Sequence, residues 1–171
     1  MFPIFVYLFS LFNSVVSFRA GPSAMPVSQP LLLISGAVYI ALGFATAQVL
    51  GKAPSTAVLA AFVDCLFYIS WFGGIVSAFG NKERILQTLL CVLLIGWLAG
   101  GFGLALAWPI ANSTPETVSG TVLILGLLSI VWVITLLGRC LAEAIEKPTS
   151  FGVGLTIAYL VTNDLLLRVF A

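Results

Sequence analysis

Five stretches of this chain, 29–50, 55–79, 85–110, 118–137 and 150–170, each run for twenty residues or more with at most two charges. A helix needs roughly 20 apolar residues to cross the ~30 Å hydrocarbon core of a bilayer. Hydrocarbon offers backbone groups no other hydrogen-bond partner, so such stretches become helices. The connections 51–54, 80–84, 111–117 and 138–149 are short, which makes successive helices antiparallel neighbours. Composition agrees. Of 171 residues 61% are apolar and 8% charged, against about 45–50% and 25% in soluble domains. A soluble fold of this length leaves too much surface exposed to hide that apolar content. Cytosolic enzymes, nucleic-acid binders and disulfide-stapled secreted modules are therefore excluded. The expected fold is all-α: a polytopic helical bundle with residues 29–170 as one five-helix transmembrane domain in the lipid bilayer.

Residues 1–18 stand apart. They are apolar and carry no charged side chain, so they lack the positive n-region of a secretory signal. Ser10, Asn13, Ser14 and Ser17 follow the i, i+3, i+4, i+7 spacing of one narrow helical stripe. Two readings stand: a helix lying along the interface or against the bundle, which we favour, or a sixth span of minimal length. Basic residues in short loops orient the whole. With the amino terminus inside, Arg19, Lys82, Arg84, Arg139 and Lys147 gather on the inner side, while Lys52 and Arg168 lie outside. The expected orientation places the amino terminus on the inner side of the membrane.

The chemistry available is narrow. There is no histidine, and Cys65, Cys91 and Cys140 are far apart, so the common zinc sites and imidazole catalysis are missing. No glycine-rich phosphate loop with a lysine and no paired acids at metal spacing occur. No catalytic residue, cofactor or metal site is expected, and the chain reads as no enzyme. One residue stands out. Asp64 lies about nine residues, roughly 13 Å, into the second stretch, where an acidic side chain must face protein, water or a cation. Tyr68, one turn on, is placed to donate to it. In the fifth stretch Asp164 and Arg168 are spaced to pair along one helix face, and Asn163 adjoins them. If the second and fifth helices touch, Asp64, Tyr68, Asn163, Asp164 and Arg168 form one polar cluster in the same half of the bilayer; otherwise Asp164 and Arg168 make an interfacial pair.

Gly96 and Gly100 form a GxxxG in the third stretch, a pattern that lets backbones approach closely. It suits packing within the bundle, with homodimerisation as the alternative. After the fourth stretch, 139–148 reads as a helix continuing about two turns into solvent, with Glu143 and Lys147 paired at i, i+4 and Pro148 ending it.

The layout resembles the Yip1-type membrane domain and, in detail, small uncharacterised bacterial inner-membrane proteins loosely grouped with it. The stretches carrying the likeness are Arg19-Ala20-Gly21-Pro22 through Met25-Pro26-Val27-Ser28 and Arg84-Ile85-Leu86-Gln87-Thr88. The resemblance implies no catalytic residues, and a scaffolding, assembly or trafficking-like role. Two functions are carried forward. The first is a non-enzymatic assembly factor, accessory subunit or scaffold whose partners are other membrane proteins or a second copy of itself. The alternative is a small transporter or ion-conducting protein using Asp64.

Overall fold

The computed structural model describes residues 2–79, 81–112 and 120–168. The rest of the loop expected at 111–117, with Glu116, lies outside them. Six α-helices follow in order: α1 (Phe2–Val16), α2 (Gln29–Val49), α3 (Pro54–Ala78), α4 (Ile85–Ala111), α5 (Gly120–Ile145) and α6 (Thr149–Arg168), with no strand among the described residues. α2 to α6 are each long and apolar enough to cross a membrane. The protein is an integral membrane helical bundle.

Helix ends follow from local chemistry. Proline occupies the first turn of α2 and of α3, where its missing N–H costs nothing. α2 stops at Gly51, whose φ of 78° lets the Lys52 amide return to the Ala47 carbonyl at 3.0 Å, the closing bond of a Schellman turn. Glu146 takes the same left-handed place after α5, with φ 57°, and the Lys147 amide reaches Ala142 O at 3.0 Å. A non-glycine residue is strained there, so tertiary contacts must hold it. Arg84 adds an exposed ion pair to Glu146 at 3.1 Å, a contact worth at most about 1 kcal/mol.

α4 is the axis of the bundle. Every residue from Thr88 to Gly96 is buried, as expected for a helix apolar all round. It packs against α2, α3 and α5 and carries α1 on its flank. α1 has 15 residues, about 22 Å at 1.5 Å per residue, and falls short of a bilayer core. Its buried Val15 joins the core, and Phe12 meets Trp97 at 6.4 Å. Ser10, Asn13 and Ser17 of the stripe are exposed.

α5 changes character along its length. Leu123, Ile124, Leu127 and Leu128 are exposed, a face for lipid, whereas Leu136, Leu137, Cys140, Leu141, Ala144 and Ile145 are buried. The helix does run two turns past residue 137, but that extension is packed and not solvated. The expected Glu143–Lys147 pair is absent. Because α5 ends at Ile145 and Glu146 turns left-handed, Lys147 leaves the helical register and stands over the Phe79 ring at 5.9 Å. Glu143 instead accepts from the Ser23 hydroxyl at 2.6 Å and the Ser23 amide at 3.4 Å. Gly21 makes room for it, since a Cβ there would overlap the Glu143 carboxylate. Asn81 Nδ2 donates to Ala144 O at 2.8 Å and Gln87 Nε2 to Met25 O at 2.8 Å. Asn81 thus ties the turn before α4 to the end of α5, and the bonds of Ser23 and Met25 bind the segment after α1 to the same end of α4 and α5. Glu143→Ala should free that segment at a cost of about 1–2 kcal/mol. Hydrogen exchange at residues 21–25 should accelerate while α4 stays protected; unchanged exchange would contradict the assignment.

Candidate functional site

Asp64 stands ten residues beyond the start of α3, about 15 Å along the helix. Three donors converge on its carboxylate. Tyr39 of α2 donates its hydroxyl to Oδ2 at 2.6 Å. From α6, Asn163 Nδ2 donates to Oδ1 at 2.7 Å and the Tyr159 hydroxyl to Oδ1 at 3.4 Å. The first two sit at the short end of their ranges; the third is longer than the roughly 2.5–3.0 Å usual for a hydroxyl donor and is weak. One side chain thus joins α2, α3 and α6. Asn163 Oδ1 is buried and has no donor among the described residues.

The residues expected together divide. Asp64 and Asn163 meet. Tyr68 does not donate to Asp64: its hydroxyl reaches across to α4 and gives its proton to Val92 O at 2.7 Å. The reason is direction. Tyr68 is 2% exposed and points into the core, where its ring stacks on Tyr39 at 5.1 Å. Asp164 and Arg168 stay outside the cluster as an exposed i, i+4 ion pair at 2.7 Å. Tyr39 and Tyr159 were missed. Each is a phenol within an apolar span, a side chain that seeks a partner when buried. Tyr159 also precedes Asn163 by four residues, which puts both on one helix face.

Beyond Asp64 the bundle is filled with rings. Tyr159 contacts Tyr68 and Phe72 at 5.3 Å each and Phe67 at 5.6 Å, and Tyr68 meets Phe72 at 5.0 Å. Phe72 is fully buried. On the other side of Asp64, toward the α2–α3 turn, the helices part. A cleft of about 340 Å³ opens there between α2, α3 and α4, walled by Gly43, Ala47, Ala60, Ala61, Ala99 and Gly103. Asp64 and Tyr39 line it as well, and Lys52 stands on its rim. Asp64 therefore lies between an open cleft and an aromatic plug.

Gly96 and Gly100 serve contacts within the chain. A Cβ at Gly96 would come within 2.6 Å of the Tyr39 ring, and one at Gly100 within 3.0 Å of the Leu42 side chain. The GxxxG face is thus spent on α2. Gly96 also sets the position of the ring whose hydroxyl serves Asp64. A tighter crossing lies between α5 and α6, where a Cβ at Gly152 would overlap the Gly138 carbonyl oxygen. Cys65, Cys91 and Cys140 are buried free thiols. No group of three or more His, Cys, Asp or Glu side chains among the described residues is placed to hold a metal.

No protein-family model matches this chain, and neither does any curated protein or solved structure.

Proposed function

We propose that this is a non-enzymatic membrane protein acting as an assembly factor, accessory subunit or scaffold, in the bacterial cytoplasmic membrane with its amino terminus inside. The Yip1-like layout fits that role, and the five basic residues of one end fit the orientation. The observation that carries the proposal is the engagement of Asp64 by donors from two neighbouring helices of the bundle itself. An acid used to load and release an ion needs exchangeable ligands. This one is engaged by Tyr39, Asn163 and Tyr159 from two neighbouring helices and reads as a lock. The exposed apolar half of α5 supplies a face for another membrane protein.

The cleft favours a second reading, solute or proton translocation through Asp64, because it gives the carboxylate a way out on one side. The aromatic plug beyond Asp64 opposes that reading. Proteoliposomes separate the two. The scaffold reading expects no proton or cation flux above empty vesicles, and no change with Asp64→Asn. A flux abolished by Asp64→Asn in a folded protein would establish translocation instead. Photo-crosslinkers at Leu127 and Ile130 in native membranes should also give one discrete protein adduct; labelling no greater than at Leu165, on exposed α6, would overturn the scaffold role.

A further inference from the structure

The cleft beside Asp64 combines features that a structural lock does not require. Its volume of about 340 Å³ lies at the lower end of small-molecule sites, which run to roughly 300–1,000 Å³. Its walls are mostly small apolar residues of α2, α3 and α4, with Thr46, Leu50 and Leu167 of α6 beside them, and its base is an acidic side chain deep within a membrane-spanning helix. The polar groups at that base are unbalanced. A carboxylate offers about four lone-pair sites, and three donors are supplied. Asn163 Oδ1, on the residue bonded to that carboxylate but outside the cleft lining, is buried and receives none. Acceptors are in surplus and donors are used up. A ligand suited to this place brings several N–H donors on one small head, carries positive charge, and has an apolar body to fill the cleft.

We propose that the cleft binds a lipophilic primary ammonium, with its –NH3⁺ on Asp64 and its hydrocarbon chain between Gly43, Ala60 and Ala99. An ammonium supplies three donors and no acceptor, and its charge complements the carboxylate. An anionic amphiphile would oppose Asp64, and an alcohol brings one donor. Lys52 is the basic residue on the rim. It is exposed on the turn, more than ten residues of helix from Asp64, a separation of about 15 Å. Where water reaches it, that exceeds the ~8 Å Debye length at physiological salt, so it leaves the base attractive to a cation. The proposal goes beyond the scaffold reading and does not depend on it.

The test uses the full chain in neutral detergent micelles at pH 7.5, with n-octylamine as probe and n-octanol and octanoate as controls. Octylamine at about one hundred times its Kd should raise the melting temperature by roughly 5–10 °C, saturably, and neither control should match it. In Asp64→Asn the shift should vanish. Asn163 can turn its amide so that Oδ1 accepts from the new –NH2 group, so this variant should melt within a few degrees of wild type without probe. Ala60→Phe fills the cleft while leaving the Asp64 carboxyl group in the chain and should also abolish the shift. Equal shifts with octylamine and octanol, or shifts that persist in both variants, would mean simple partition into the micelle and would overturn the proposal. If Asp64→Asn fails to fold, Ala60→Phe decides alone.

Discussion

Gly152→Ala should be among the most damaging single-methyl additions in this protein, lowering stability by about 3 kcal/mol. The new Cβ would occupy the place of the Gly138 carbonyl oxygen and would also press on the Ala142 backbone nitrogen and Cβ, each at 3.0 Å. Backbone cannot turn aside as a flexible side chain can, so α5 and α6 have to separate. The cost belongs in the upper part of the range for overpacking. It would also draw Asn163 and Tyr159 away from Asp64, since both ride on α6. Gly154, two residues on, is the control: a Cβ there meets nothing within 4 Å. Gly154→Ala should be neutral or stabilising by up to about 1 kcal/mol, because alanine is the better helix former. Reversible unfolding in mixed micelles would show the contrast. Similar effects of the two substitutions would contradict the close crossing.

The second large effect is expected at Asp64, and there the chemistry of the replacement decides. Asp64→Leu leaves the Tyr39 hydroxyl and the Asn163 amide buried without an acceptor. Interhelical hydrogen bonds in membranes average about 0.6 kcal/mol and reach about 1.7, while an orphaned buried polar group costs about 1–3 kcal/mol. With two short bonds and one long bond lost, a destabilisation of about 2–4 kcal/mol follows. Asp64→Asn should cost about 1 kcal/mol or less. Tyr39 can still donate to the remaining carbonyl oxygen, and Asn163 can reverse its amide to accept. Unfolding midpoints of the two variants should therefore separate clearly. If both fell equally far, charge and not hydrogen bonding would be what the site requires.

Much of the fold was legible because the membrane imposes it. Length and hydropathy alone mark five helices, and α4 spans Ile85–Ala111 where 85–110 was expected. The end of α5 was misread for a physical reason. Arg139, Glu143 and Glu146 look like a solvated helix end, yet in a helix alternate faces differ. Cys140, Leu141 and Ala144 face the core, while Arg139 lies over the Phe18 ring at 5.7 Å and Glu143 meets Ser23. Ser23 is 120 residues from Glu143 in sequence, and Phe18 is as remote from Arg139, a distance that no local pattern encodes.

The candidate site was legible in half. An acid in a span announces itself by its cost, and Asn163 was named beside Asp164. Tyr68 was expected at Asp64 because the two share a helix face, and helical spacing says nothing of contacts between helices such as that of Tyr39. The small residues were ambiguous for a related reason. Gly96 and Gly100 admit a large neighbour closely, whereas a Cβ at Gly43 would meet only Ala61, at 3.5 Å. The pattern is the same in both cases. Which outcome holds depends on whether a large side chain such as Tyr39 or Leu42 stands opposite.

The central claim is that Asp64 locks α2 to α3 and α6, and a double-mutant cycle between Tyr39→Phe and Asp64→Leu tests it most directly. Unfolding free energies of the wild type, the two single variants and the double variant would be measured in the same mixed micelles. The 2.6 Å bond between these side chains predicts a favourable coupling of about 1–1.7 kcal/mol, the upper part of what interhelical bonds in membranes supply. Additive effects within about 0.3 kcal/mol, the behaviour of residues that do not touch, would contradict it.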